Sequence, residues 1–317
     1  MIYPWQTALW ATLQRAREGD HLPHALLFQG EDGCGNEAFV QDLAQSLLCL
    51  NPIASGHACQ QCRSCHVLAS QAHPDFMPVM LHEDRQAILV EQIRELNHFL
   101  GLSRSYSPRR VVIISPAERM NINAANSLLK SLEEPAADTH ILLLSAHPGS
   151  LLPTIRSRCQ QMRLPVPDSD AALQWLQQQT LQHPPEALLL AARGKPLTAF
   201  DLDSSETLGH YKEWLRHISE CAQGQGSITA KSAQWEKFDK TLLLDWQLDA
   251  VNSLLKQALI ADSAGLPSEL QSLGGAINKQ RLWEIHTKLL AMKALAAHPL
   301  NPRLLIEDML MLWQARY

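Results

Sequence analysis

A glycine loop set between an apolar strand and an amphipathic helix restricts this chain more than any other stretch. His24-Ala-Leu-Leu-Phe-Gln29 is a short apolar run suited to a buried strand, and Gly30-Glu-Asp-Gly33-Cys-Gly35-Asn-Glu37 follows it. Residues 38–50 then carry Phe39, Leu43, Leu47 and Leu50 at helical spacing. Strand, loop and helix in this order are the setting of a phosphate-binding loop. There, backbone amides cradle the phosphates, a Lys offsets their charge and a Ser or Thr holds magnesium. Gly30 and Gly35 keep the spacing, but Asn36 stands at the Lys position and Glu37 at the Ser/Thr position. Two readings follow: a tight turn whose Glu37 suits the positive end of the helix dipole, or a nucleotide site without its two working side chains.

The next stretch holds Cys49, Cys59, Cys62 and Cys65, with Pro52, Gly56 and polar residues between them. Four thiols this close in a reducing compartment favour tetrahedral thiolate coordination of zinc over disulfides. His57 and His66 lie in the same stretch as alternative ligands. An iron–sulfur cluster fits the spacing less well. A closed four-thiolate site leaves no position for substrate, so the zinc is expected to be structural.

Downstream, 75–81 reads as a strand, 90–100 as a helix with Ile93, Leu96 and Leu100 on one face, and 110–115 as a strand buried on both faces. In nucleotide hydrolases a strand of that last kind often ends in carboxylates that position magnesium and water. Here it ends in Ser115-Pro116-Ala117-Glu118, so the two positions straight after the apolar run offer no carboxylate. A helix over 120–135, closed by Pro135, and a buried strand over 139–145 complete a strand–helix alternation. That alternation predicts a doubly wound parallel sheet whose ligand edge lies at the strand carboxyl ends.

At 317 residues the chain has room for two or three domains, and 46% apolar with 19% charged residues describes a soluble globular protein. No run reaches the roughly 18 apolar residues of a membrane span, and Met1-Ile-Tyr-Pro-Trp5 lacks a secretory pattern, so the expected location is cytoplasmic. A formal charge of −5 argues against a free-standing nucleic-acid binder, although Arg104, Arg109 and Arg110 form a local basic cluster in the sequence. No Ser/His/Asp set, paired-carboxylate spacing or open metal site announces an independent enzyme.

The run Ala125-Asn-Ser-Leu-Leu-Lys-Ser-Leu-Glu-Glu-Pro135, followed by Thr154-Ile-Arg156-Ser157-Arg158-Cys159, resembles the clamp-loader branch of the AAA+ ATPases. Four cysteines between the loop helix and the second strand are typical of its bacterial members. The resemblance is strong over roughly the first 200 residues and weak beyond. It implies an α/β domain of AAA+ type with a parallel sheet over 1–164, carrying a zinc-binding excursion at 49–65. A small helical lid over 165–204 and an all-α oligomerisation collar over 205–317 would follow. Motor subunits of the family keep Lys-Thr/Ser in the loop and Asp-Glu after the third strand. This chain departs at both places, so the resemblance implies a non-hydrolysing subunit that binds no ATP and has no ATPase or polymerase activity of its own. Arg158 in Ser157-Arg158-Cys159 would be an arginine finger acting in trans on the nucleotide of a neighbouring motor. Arg156 would be a structural or interface charge. The implied partners are motor subunits of gamma/tau type and a delta-type subunit in a heteropentamer, and, through that complex, the sliding clamp and primer–template DNA, with no membrane.

Short helices are expected over 170–181 and 186–193, with Lys195 as a solvated cation at the start of another. Longer helices are expected over 208–221, 242–260, 280–296 and 302–316, with breaks near Gly224-Gln-Gly226, Gly265-Leu-Pro267 and His298-Pro299. Leu289, Leu290, Met292 and Leu295, and likewise Leu304, Leu305, Met309, Leu310 and Leu312, are more apolar than one buried stripe requires. Trp214, Trp235, Trp246, Trp283 and Trp313 serve either as core or as interface anchors. Two competing functions remain at this stage: a weak ATPase with an atypical loop, and a stand-alone zinc-containing DNA-binding protein.

Overall fold

The computed structural model describes residues 2–82, 85–260, 266–296 and 301–314. The expected breaks at Gly265 and His298-Pro299 and the expected helix end at Arg316 lie outside the described residues. The chain divides into two compact units, Met1–Ala171 and Ala172–Tyr317.

In the first unit the order is α1 (Thr7–Glu18), β1 (Ala25–Gln29), α2 (Asn36–Leu48), α3 (Arg63–Ala69), β2 (Phe76–Met80), α4 (Val90–Gly101), β3 (Arg110–Ser115), α5 (Ile122–Glu133), β4 (Thr139–Ser145), α6 (Pro153–Arg156) and β5 (Gln160–Arg163). The five strands form one parallel sheet in the order β2-β3-β4-β1-β5. Every residue of β3 and β4 is buried, as expected of inner parallel strands with helices on both faces. Alternate side chains feed opposite layers. Val112, Ile114, Ile141 and Leu143 pack with Ile93 and Leu96 of α4 and Leu128 and Leu132 of α5. Val111, Ile113, Leu142 and Leu144 pack with Trp10 and Leu13 of α1 and Phe39 and Leu43 of α2. Each large aliphatic side chain fully buried in this way contributes about 1.5–3 kcal/mol relative to exposure.

Helix α2 ends at Leu48, where Cys49 turns the backbone to φ −66°, ψ 134° and starts the cysteine excursion. Leu50 therefore falls outside the helix and is exposed, the helix ending two residues short of what the spacing suggests. Strand β5, Gln160-Gln-Met-Arg163, carries almost no apolar signal, because it is an edge strand exposed along most of its length.

The second unit is helical: α7 (Ser169–Gln177), α8 (Pro185–Ala191), α9 (Pro196–Asp203), α10 (Thr207–Ala222), α11 (Ile228–Trp235), α12 (Lys240–Ile260), α13 (Lys279–Leu295) and α14 (Pro302–Met311). The segment up to 204 and the helices after it share one core, which joins Leu176, Leu188 and Ala199 to Trp214, Trp246, Leu289 and Met309. Trp214, Trp235, Trp246 and Trp313 are buried, whereas Trp283 is 52% exposed. Leu290 and Leu295 on α13 and Leu304 and Met311 on α14 are also exposed, so part of the apolar excess in these helices faces outward. Among the described residues, no helix is long and apolar enough to cross a membrane.

Candidate functional site

The glycine loop leaves β1 at the carboxyl edge of the sheet, where the Gly30 amide donates to the Ser145 carbonyl at 3.2 Å. Gly35 takes φ +82°, a conformation that L side chains rarely adopt, and α2 begins at the next residue. The Asn36 amide turns back across the loop, and its Nδ2 donates to the Glu31 carbonyl at 2.6 Å. A methyl group added at Gly30 would meet that same nitrogen at 2.5 Å. Asn36 therefore closes the loop on itself in the space a Lys would need to reach a phosphate.

A second closure comes from the N-terminal segment, which the sequence did not single out. Trp5 Nε1 and Gln6 Nε2 both donate to the Cys34 carbonyl, at 3.0 and 3.1 Å. The Tyr3 ring lies directly over Gly35, so that a Cβ there would overlap it. The Tyr3 and Trp5 rings stack with centroids 5.1 Å apart and planes 10° from parallel. Gln6 ties the turn by donating its backbone N–H to the Tyr3 carbonyl at 2.8 Å and accepting the Tyr3 N–H on Oε1 at 3.2 Å.

Glu37 is exposed, beside a cavity of about 270 Å³ lined by Val40, Met80, Ile113, Ser115 and Leu144. At this edge β3 ends in Ser115, which joins Pro116 through a cis peptide. The nearby carboxylate of Glu118 accepts the Ala146 N–H at 3.2 Å at the end of β4. A free nucleotide phosphate would thus meet the Glu37 carboxylate and no lysine of the loop.

The four thiols come together as their spacing predicts. The Sγ atoms of Cys49, Cys59, Cys62 and Cys65 all lie within 4.8 Å of one another. Four of the separations are 3.5 Å (Cys49–Cys59), 3.9 Å (Cys49–Cys62), 4.0 Å (Cys59–Cys65) and 3.5 Å (Cys62–Cys65). Sulfur atoms about 2.3 Å from a tetrahedral zinc would stand about 3.8 Å apart, so the donor set fits that ion in number, chemistry and spacing. Burial works against ionisation of Cys62, but amide donors from Cys65 and Leu50 outweigh it and bring that thiol down to about 6. Burial and the neighbouring thiols push Cys65 up to about 12. One thiolate therefore forms readily and opposes the next, a repulsion that a bound dication would remove. His57 is not part of this cluster: it stacks on Trp10 with centroids 4.5 Å apart.

Arg158 follows α6 and is partly exposed. Its Nε donates to Glu133 Oε1 at 2.7 Å, and one terminal nitrogen contacts the same carboxylate. The other donates to the Thr154 carbonyl at 3.1 Å. The arginine is thus folded against the end of α5 in the isolated chain, while the adjoining Cys159 is buried.

The basic cluster seen in sequence is divided in the fold. Arg110 is buried and donates to the carbonyls of Leu100 and Leu102 at 2.8 and 2.7 Å. Arg104 pairs with Asp138 at 2.8 Å, and Arg109 lies 3.9 Å from Asp20. These residues offer no continuous cationic face.

A parallel sheet ordered β2-β3-β4-β1-β5, with a glycine loop after β1 and alternating crossover helices, defines a phosphate-loop domain of AAA+ type whose loop is internally closed. The family model described as DNA polymerase III, delta subunit, matches residues 5–168. The Pseudomonas aeruginosa DNA polymerase III subunit delta' is 37% identical, over 98% of this chain and 97% of that protein. The Haemophilus influenzae protein of the same name is 31% identical, over 83% of this chain and 80% of that one. The chain belongs to the DNA polymerase III delta' subunit family. Among solved structures, a DNA polymerase III gamma subunit-related protein of Thermotoga maritima overlaps with a TM-score of 0.49 at 21% identity, covering 96% of this chain and 98% of that chain.

Proposed function

We propose that this chain is a non-hydrolysing subunit of a bacterial clamp loader, working in the cytoplasm inside a hetero-oligomer with motor and delta-type subunits to place the sliding clamp on primed DNA. The observation that carries this reading is the closed loop: Asn36 bonded to Glu31 where a lysine should reach outward, with Glu37 where magnesium should be held. A subunit of this kind contributes to hydrolysis only through what it offers a neighbour. Arg158 is the candidate, because it lies at the end of α6 on a partly exposed turn and its guanidinium is always charged. In such a complex Arg158 would leave Glu133 and stabilise charge on the γ-phosphoryl group of the adjacent motor.

Cys49, Cys59, Cys62 and Cys65 would hold one structural zinc, which ties the end of α2 to α3 and supplies no reaction step. The lid and collar reading assigns 165–204 and 205–317 to separate roles. Exposed Trp283, Leu290 and Leu295 on α13 suit a face buried against partner subunits. The test is equilibrium binding of labelled ATP to the isolated chain with magnesium. Absence of binding at millimolar nucleotide is expected; micromolar, magnesium-dependent binding would support the weak-ATPase alternative instead. Tight, salt-sensitive DNA binding by the isolated chain would support the stand-alone DNA-binding alternative.

A further inference from the structure

We infer that nucleotide is excluded from this domain twice, and that Tyr3 and Trp5 are the second set of determinants, independent of the missing lysine. The inference rests on the reading of the loop as non-binding and adds which residues enforce it. A loop that cradles phosphates through its amides needs open space beside it for the attached nucleoside. Here that space holds two aromatic rings. Tyr3 covers Gly35, Trp5 donates to the Cys34 carbonyl at 3.0 Å, and the two rings are stacked on each other. They present to the loop what a nucleoside would present: flat aromatic surface and a hydrogen-bond donor.

The segment is also held from behind. It runs directly into α1, with the Thr7 hydroxyl donating to the Pro4 carbonyl at 2.9 Å. Further along α1, Trp10 Nε1 donates to the Ser55 carbonyl at 3.0 Å, and the Trp10 ring stacks on His57. One turn beyond the middle of the helix, Arg17 donates to the Gly56 carbonyl at 3.1 Å, which also accepts the Ser46 hydroxyl at 2.6 Å. Residues 55–57 belong to the cysteine excursion. That excursion therefore grips the helix whose first residues cover the loop, and Trp10 acts as a positioning residue for Tyr3 and Trp5. Gln6 is fully buried and is left unchanged in the test, so that the helix start stays intact.

Three variants and the native chain are compared for magnesium-ATP binding: Asn36→Lys with Glu37→Thr, Tyr3→Ala with Trp5→Ala, and all four together. The expected result is that neither pair alone yields detectable binding, while the fourfold variant binds at least ten times more tightly than any other form. Binding by the Asn36→Lys, Glu37→Thr pair as tight as that of the fourfold variant would overturn the inference. So would a fourfold variant that melts at the native temperature and still fails to bind. A readout that needs no ligand is amide hydrogen exchange over 34–37, expected to be at least tenfold faster in the Tyr3→Ala, Trp5→Ala variant; unchanged exchange would also overturn it. Binding by the native chain would instead defeat the proposed function, whatever the variants do.

Discussion

The ion pair between Arg158 and Glu133 allows a quantitative test of the finger reading. To reach a neighbour's nucleotide, the guanidinium must give up Glu133, which it now contacts through Nε at 2.7 Å, and the Thr154 carbonyl. The two side chains are 34% and 49% exposed, so the pair is of the solvated kind, worth about 0.2–1 kcal/mol after screening. Glu133→Gln should therefore lower the cost of extending Arg158 by about 0.5 kcal/mol, roughly a twofold gain in the extended population. Arg158→Ala should remove a transition-state contact that, in related phosphoryl transfers, changes the rate by a factor of about 10³–10⁵. The assay is clamp- and DNA-stimulated ATP hydrolysis by a reconstituted loader. Arg158→Ala should abolish the contribution of the one motor site it serves, and Glu133→Gln should leave that contribution equal or up to about twofold higher at low salt, converging with the native value as salt rises. Hydrolysis unchanged by Arg158→Ala would refute the trans role. A loss with Glu133→Gln as large as with Arg158→Ala would refute the parking role of Glu133 and make it part of the site.

Metal analysis of protein purified under reducing conditions should find close to one zinc per chain. Cys62→Ser should lose it and raise hydrogen exchange across 49–65, and a metal-free native chain would remove the zinc assignment. Asp75 is fully buried and accepts the amides of Ser105, Tyr106 and Ser107 at 2.7–2.9 Å. Asp75→Asn should cost about 2–4 kcal/mol in urea unfolding of the first unit, and a loss below about 0.5 kcal/mol would show that the amides find other partners. Burial opposes ionisation of Asp75, but those amides hold its carboxyl below the ordinary 3.8. Its contribution should be complete above that value and lost as pH falls through the lowered one; Asp75→Asn should flatten this acid limb. Asp249, on α12, behaves in the opposite sense: burial pushes it up to about 6 despite Arg193 at 2.8 Å. The second unit should be strained by this charge above pH about 6 and gain at most about 3 kcal/mol as pH falls toward 4. Thermal melting of Asp249→Asn should lack that gain.

What the sequence made legible was whatever repeats a physical constraint along the chain. β3 and β4 are read from unbroken apolar runs because both faces of an inner parallel strand are covered. The thiols are read from spacing, because a tetrahedral ion admits few loop lengths. β5 escaped notice because an edge strand with polar, exposed residues carries no such pattern. The separation of Arg104, Arg109 and Arg110 could not be read either, since neighbours in an irregular stretch take independent directions: one inward to backbone carbonyls, the others to acids on different loops. Tyr3 and Trp5 were missed for a related reason. Their role depends on contact with a loop about thirty residues away, and aromatic residues near a chain start give no periodicity to follow. A partial signal was present in Gly35, since a glycine that must sit at φ +82° against another group leaves room for that group to be a ring of the same chain.

The proposed function gives the loop and the arginine one explanation. A phosphate loop without its lysine should lose its reason to remain open, and a scaffold that no longer closes on a ligand can be filled by its own side chains, which adds burial and hydrogen bonds where a vacant cradle would leave amides and carbonyls to solvent. Asn36 and the Tyr3–Trp5 stack do that here. If the loop binds no nucleotide, as proposed, the shape of this edge would not depend on whether nucleotide is present. Arg158 sits beyond α6, on the chain segment that leads into edge strand β5, and β5 pairs directly with β1, the strand that leads into the closed loop. On the proposed function, a domain that does not respond to nucleotide of its own would keep the backbone carrying Arg158 in one place on the frame, so that only the side chain has to leave Glu133 to meet a reacting phosphate on another subunit.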